Sequence, residues 1–456
     1  MKRFFRGVGK FILGFLALII LFIPIYVYFN RGVITGYAAK KMCTCVFMAD
    51  RVPQTVTDQD FNIFPNSLTI KNAETIIDSS SRVVTASFWG KEQQAVFREG
   101  LGCALVHEGK RPDRGFSPSY FQSALDSDTL LWPKGNLIQD TTFIEIEWDS
   151  LDRAVAAGFD PPGAEPDLMT RAVVVVYKDF IVAEKYAEGF DASMPQHGWS
   201  MGKSIANALI GILVRDSLVD IYEPIGIDSW QNDGRNMITW DHLLRMSSGL
   251  EWNEGYFGSS DVTSMLFEHS NMGAYAASLP LDTPPDSSWN YSSGTTNILS
   301  LLMQEKFPSQ EAYWHFPYDS LFAQIGMKES FLEADASGHY VLSSFAWATP
   351  RDWARFGMLF LHDGVWQGKR ILPEGWVDYT ISPTPTTSGF YGAQFWLNKG
   401  ERKMAPDLPD DAYCARGHDG QRVYIIPSYD LVVVRLGLKN MDDNEFIKGI
   451  LGAIQQ

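Results

Sequence analysis

The sequence predicts an α/β chain of the α+β type, and three observations predict it. First, RAVVVVYKDFIVAEKYAEGF (Arg171–Phe190) carries two β-branched runs joined at polar Lys178-Asp179, the pattern of an antiparallel hairpin. Second, the middle of the chain is mostly helical in character. Third, QRVYIIP and LVVVRLG (Leu431–Gly437) flank SYD as another hairpin, and a helical segment, NEFIKGILGAIQQ, closes the chain. A parallel sheet would need repeated strand–helix alternation, which this order lacks.

Taken from the N-terminus, Lys2, Arg3, Arg6 and Lys10 precede an apolar run, Phe11–Phe29, that holds no charge. At about 1.5 Å per residue it spans about 28 Å, close to a hydrocarbon core and longer than a secretory h-region. Residues 11–29 are therefore expected to be a transmembrane signal anchor, with residues 1–10 as a cytoplasmic basic leader. The expected location is the inner (cell) membrane, single-pass, with the remaining chain on the periplasmic side. Gly36, Ala38 and Ala39 leave room for late cleavage. Arg31, Lys40 and Lys41 on the far side weaken the charge asymmetry.

Residues 30–145 are expected to form a small accessory module. SRVVTASFW (Ser81–Trp89) and CALVHEG (Cys103–Gly109) read as strands, and PDRGFSPSYF and DSDTLLWPKGN as turn-rich loops. Outside the cytoplasm thiols can pair, so a bridge from Cys43 or Cys45 to Cys103 is one expectation and free thiols the other. With Cys414, four cysteines allow three full connectivities.

The pattern changes at residue 146. Leu151–Phe159 reads as a helix before the first hairpin. SIANALIGILVRD (Ser204–Asp216) sets Ile205, Leu209, Ile212 and Leu213 at helical spacing. TWDHLLRMSSGL and SSGTTNILSLLMQEKF continue as helix. Residues 146–456 are expected to be one domain.

Composition narrows the function. The formal net charge of −16 argues against nucleic acid as a partner, since phosphate binding needs a basic surface. Neither the C-x-C pair nor the eight histidines have metal-site spacing, so no metal is expected.

HGWSMGKS (His197–Ser204) fits two catalytic patterns. As G-x-S-x-G it could be a nucleophile elbow; as S-x-x-K it could open the nucleophile helix of a penicillin-recognising enzyme. Both name Ser200. An elbow needs a buried strand just before the serine, but DASMPQHGW holds Asp191 and Pro195 and no apolar run. The S-x-x-K reading puts Lys203 one turn from Ser200 on the same helix face, where a desolvated amine could serve as base. No other lysine here has a serine three positions before it.

Two further stretches complete a constellation. In WNYSSGTTN, Tyr291 stands where a loop meets a helix, and a nearby ammonium would favour its phenolate; Lys203 and Tyr291 would titrate as a pair. In RGHDGQRVYIIP, Gly417 and Gly420 allow close approach ahead of a strand. The amides of Ser200 and Gln421 could then form an oxyanion hole, with His418 turned into the cleft.

In order and spacing, SMGKSIANALIG, ITWDHLLRMSSGLEW, WNYSSGTTNILSLL and GHDGQ resemble the serine β-lactamase-like superfamily, especially its class C-like branch of esterases, amidases and D-Ala carboxypeptidases. The resemblance covers about residues 151–456. It implies an antiparallel sheet covered by helices beside an all-helical subdomain, and no cofactor. It also implies that Ser200 is the nucleophile, Lys203 the base and Tyr291 the catalytic tyrosine. Two motifs depart from the family. Its Y-x-N is here Tyr291-Ser292-Ser293, placing Ser293 in the substrate region. Its K-T-G is here His418-Asp419-Gly420, a weaker anion anchor, with Arg416 as a possible substitute cation. Both changes point away from β-lactams toward the branch of 6-aminohexanoate-dimer hydrolase and related esterases. The expected activity is hydrolysis of a small or peptide-like ester or amide. The alternatives are a D-Ala carboxypeptidase, penicillin-binding protein or β-lactamase, and a non-catalytic membrane-tethered sensor.

Overall fold

The computed structural model describes residues 23–63, 66–112, 115–116 and 129–455. Residues 11–22 of the expected anchor lie outside them, as does most of the stretch 113–128. Residues 23–29 are helical, and no helix among the described residues is long and apolar enough to cross a membrane.

The chain divides into two compact units. The first comprises the chain up to Phe97, Cys103–Arg111 and, from far along the sequence, Gly255–His269. Its long helix is α1 (Arg31–Phe47), and its sheet has the order β1 (Glu74–Asp78), β2 (Val83–Phe88), β3 (Lys91–Arg98), β4 (Gly102–Leu105). Cys43 on α1 is bridged to Cys103 on β4, whereas Cys45 and Cys414 are buried and lie outside any disulfide. Asp60 is buried between Lys41 and Arg51, whose guanidinium lies 2.7 Å away, so the charges are compensated where water is excluded. Gly36 lets the inserted segment close on α1: a Cβ there would lie 2.9 Å from Phe267 Cβ.

The second unit carries the six-stranded sheet and most of the helices. Its first elements are α2 (Trp148–Ala157), β5 (Thr170–Tyr177), β6 (Phe180–Tyr186), the short β7 (Gln196–His197) and α3 (Met201–Arg215). They are followed by α4 (Ser293–Gln304), β8 (Phe331–Leu332), β9 (Ala346–Ala348) and α5 (Pro350–Leu361). The last are β10 (Trp396–Leu397), β11 (Tyr413–Gly417), β12 (Gln421–Ile426), β13 (Leu431–Gly437) and α6 (Asp443–Leu451). The large sheet runs β10-β11-β12-β13-β5-β6, antiparallel at every pairing.

Burial explains why β5 and β13 read as unbroken β-branched runs: every residue of both is buried, because helices cover both faces. Val173, Val175 and Val433 pack with Leu151 and Val155 of α2 and with Phe446, Ile447 and Ile450 of α6. On the opposite face lies α5. A Cβ at its Gly357 would stand 2.6 Å from Val432 Cγ1 and 2.8 Å from Val423 Cγ1, so the glycine sets how closely helix and sheet pack. Arg435 sits within this apolar layer with its guanidinium satisfied by Thr170 Oγ1 and the carbonyls of Leu168, Gly420 and Lys439.

Candidate active site

Three element ends meet at the site: the N-termini of α3 and α4 and the C-terminal end of β11. The approach to α3 is a tight turn. Trp199 takes a left-handed φ of 50°, uncommon for a bulky residue. The His197 ring holds the turn: it stacks on Trp347 at 4.5 Å and on Trp199 at 3.9 Å, and its Nε2 lies 2.7 Å from Ser344 O.

Ser200 occupies the N-cap of α3, yet its side chain caps no amide of the helix. A serine there ordinarily accepts from the amide two or three residues on. Here its Oγ faces Lys203 Nζ at 3.0 Å instead. Lys203 is 1 % exposed. Its Nζ also lies 2.9 Å from Ser293 Oγ and donates to Ser343 O at 3.0 Å. Burial pushes the Lys203 ammonium down to about 8, against the opposing pull of the Glu254 carboxylate. Burial thus makes the neutral amine accessible near neutral pH.

Tyr291 is brought to the same point. Lys203 Nζ lies 4.8 Å from its ring centroid, and the Ser200 side chain is near enough to influence the titration of its phenol. The expectation of a phenolate is overturned. Burial, and then the Glu254 charge, hold the phenol well above its usual range, outweighing Ser200 and Arg416. At neutral pH the Tyr291 phenol therefore keeps its proton, and Lys203 is the group whose neutral form burial makes more accessible. Ser293 also lies where its motif suggested. It opens α4 with its Oγ 2.9 Å from Lys203 Nζ, while its proton goes to Glu254 Oε1 at 2.6 Å.

The third stretch is arranged differently from the expectation. Gly417, at the end of β11, presses on the turn before Ser200: a Cβ there would lie 2.1 Å from Gly198 O. The Gln421 amide, however, donates to His418 O within the hairpin turn. Its carboxamide is tied to Gly437 from both ends, donating to O at 2.5 Å and accepting from N at 3.1 Å. Gln421 thus braces the hairpin, and its amide already has an acceptor within the turn. Gly420 is also structural: its φ is 79°, and a Cβ there would meet Arg435 Nη1 at 2.3 Å. His418 is half exposed, its ring centroid 5.7 Å from that of Trp199 and its Nε2 3.2 Å from Asp419 Oδ1. Arg416 acts through its charge on the Tyr291 phenol. It lies 5.3 Å over the Trp396 ring, which packs 5.5 Å from Tyr291, and it pairs with Asp443 at 3.0 Å.

Sequence reasoning missed Glu254 and Ser343. Glu254 accepts from Ser293 N at 2.8 Å, Ser293 Oγ at 2.6 Å and Trp252 Nε1 at 2.5 Å. Ser343 contributes a backbone carbonyl from the segment between β8 and β9. Neither position carries a local signature, since a glutamate in a polar loop and a main-chain oxygen look ordinary in sequence.

With this geometry in place, comparison with known proteins is informative. The family model described as Beta-lactamase matches residues 152–444. The 6-aminohexanoate-dimer hydrolase of Paenarthrobacter ureafaciens is 23% identical over 300 residues, 59% of this chain and 72% of that protein. Among solved structures, a family VIII carboxylesterase superposes with a TM-score of 0.54 at 14% identity, covering 70% of this chain and 99% of the other. A penicillin-binding protein homologue from Caulobacter crescentus gives 0.53 at 12% identity, covering 69% and 98%. At these identities the two structures bear on the fold, an antiparallel sheet layered with helices.

Proposed function

This chain belongs to the β-lactamase family of serine hydrolases, and from that premise we propose that it cleaves a carboxylic ester or amide through an acyl-enzyme on Ser200. The observation that carries the reading is the 3.0 Å approach of a buried, pKa-lowered Lys203 amine to a Ser200 hydroxyl left free of capping. Neutral Lys203 takes the Ser200 proton as Oγ attacks the carbonyl carbon. The Ser200 amide, at a helix N-terminus without an intrahelical acceptor, faces the developing oxyanion. The proton passes to the departing alcohol or amine by way of Tyr291, whose phenol stays protonated between steps. Water then attacks the ester of Ser200, its proton returning through the same groups, and releases the acid.

The similarity to a 6-aminohexanoate-dimer hydrolase and the missing K-T-G lysine both favour small linear esters or amides over β-lactams. The chain is also proposed to be membrane-anchored and exported. The basic leader and apolar run support this, as does the Cys43–Cys103 bridge, which suits an oxidising compartment. Protease treatment of spheroplasts should digest the chain beyond residue 30; complete protection would refute export.

The deciding experiment labels purified protein with a fluorophosphonate probe and with fluorescent penicillin, alongside turnover of p-nitrophenyl esters and amides. Fluorophosphonate is expected on Ser200, ester or amide turnover is expected, and Ser200→Ala is expected to abolish both. Labelling at another residue would overturn the assignment, and a stable penicillin adduct would shift the substrate class to the penicillin-binding enzymes.

A further inference from the structure

We propose that Glu254 is a positioning residue for the nucleophile's base: by holding the Ser293 proton, it obliges the Lys203 amine to aim its lone pair at Ser200. The inference rests on the reading of Ser200 and Lys203 as nucleophile and base, and deepens it.

Hydrogen-bond arithmetic supplies the argument. Lys203 Nζ has three neighbours at 2.9–3.0 Å: Ser343 O, Ser293 Oγ and Ser200 Oγ. A carbonyl oxygen can only accept. An ionised carboxylate can only accept as well, so the 2.6 Å contact between Ser293 Oγ and Glu254 Oε1 carries the serine proton. Ser293 Oγ must then accept from Lys203. A neutral amine has two N–H bonds and one lone pair. Ser343 and Ser293 take both N–H bonds, and the lone pair is left facing the Ser200 hydroxyl at 3.0 Å. Were Ser293 free to rotate, its own O–H could occupy the lone pair and silence the base.

Glu254 is itself firmly held. Its Oε2 accepts from Trp252 Nε1 and from the Ser293 amide, so the carboxylate rests on the N-terminus of the 12-residue helix α4, where backbone dipoles favour an anion. It also acts through charge. Among the described residues, the charged and titratable groups that act on the amine and on the phenol beside it include Glu254 and Tyr291, with Arg416 and Tyr391 beyond the tyrosine. Glu254 is the anion among them, and it keeps the buried amine from losing its proton too readily.

The test compares wild type, Glu254→Gln and Glu254→Asp, reading the pH dependence of fluorophosphonate labelling at Ser200 and of kcat/KM for p-nitrophenyl butyrate. Removing the negative charge disfavours the ammonium. The acid limb of Glu254→Gln should therefore move to lower pH, by about half a unit or more. Its plateau should fall about tenfold or more, because the amide can donate to Ser293 and turn the serine proton toward Nζ. Glu254→Asp keeps the charge but shortens the reach: its limb should stay in place while the plateau falls. An unmoved limb and a plateau within twofold of wild type in Glu254→Gln would overturn the proposal. If that variant does not fold, a wild-type plateau in Glu254→Asp would overturn it equally. Failure of the wild type to label at Ser200 would instead remove the parent reading, so the two failures are distinct.

Discussion

Gly202 faces the carbonyl of Leu342 so closely that a Cβ on it would lie 2.5 Å from that oxygen. Gly198 is similarly confined, with a Cβ position 2.3 Å from Trp353 Cζ2. These two contacts explain why the segment imitates a nucleophile elbow. Its glycines are packing positions on either side of Ser200, and the two-residue strand before them pairs antiparallel with β9 rather than lying in a parallel sheet. Gly202→Ala should push α3 off the 342–344 segment that supplies the Ser343 carbonyl. We expect a loss of about 1–3 kcal/mol in stability, read by thermal melting, and slower labelling of Ser200.

With Lys203 as the proposed base, its titration sets the pH dependence. Burial lowers Lys203 from the ordinary lysine value of 10.5 to about 8, so the competent neutral form accumulates as pH rises through 8. The kcat/KM profile should show an acid limb with an apparent pKa near 8. Stability follows the same sign. Between about 8 and 10.5 the unfolded chain holds the Lys203 proton and the folded chain does not, so this group's contribution rises with pH across that window. Lys203→Met should abolish turnover and flatten that part of the stability curve in paired denaturant melts.

Removing the Tyr291 hydroxyl takes away the proposed proton relay without opening a cavity. Tyr291→Phe should keep its melting temperature within a few degrees while kcat falls by about 10²–10⁴. Wild-type kcat in this variant would exclude the tyrosine from the reaction.

Gly417 secures the third side of the site, because a Cβ there would lie 2.1 Å from the backbone oxygen of Gly198. The obstacle is main chain and cannot rotate away. Gly417→Ala should displace the 198–200 turn and cut both labelling and turnover about tenfold or more, by analogy with misplaced catalytic groups. His418→Ala, on the half-exposed neighbour, should cost far less.

In the first unit, Cys103→Ser removes a bridge that closes a sequence separation of 60 residues. Chain-entropy arguments put the loss at about 4 kcal/mol. Differential scanning calorimetry should show a lower transition for that unit, and an unchanged thermogram would mean the bridge contributes little.

The hairpins were legible because β5 and β13 are unbroken β-branched runs, a pattern that burial on both faces imposes. β3 (KEQQAVFR) and β11 (YCARG) were not read as strands: one is largely polar and the other short, and only their neighbours in the sheet make them strands. Ser200 and Lys203 could be read from their spacing on one helix. For Gln421, spacing reveals proximity to a turn but not that the turn engages its amide.

By itself, then, the sequence determined what depends on local periodicity: the α+β element order, the serine–lysine pair one helical turn apart, and the family texture around Tyr291. The tertiary structure alone decided which groups share a hydrogen-bonding network and how dry that network is. Those factors keep the Tyr291 phenol protonated, lower Lys203 to about 8, and join Glu254 to Ser293 across 39 residues of chain. The reason is physical: protonation and hydrogen-bond direction follow from desolvation and from partners distant in sequence, and neither leaves a periodic trace along the chain.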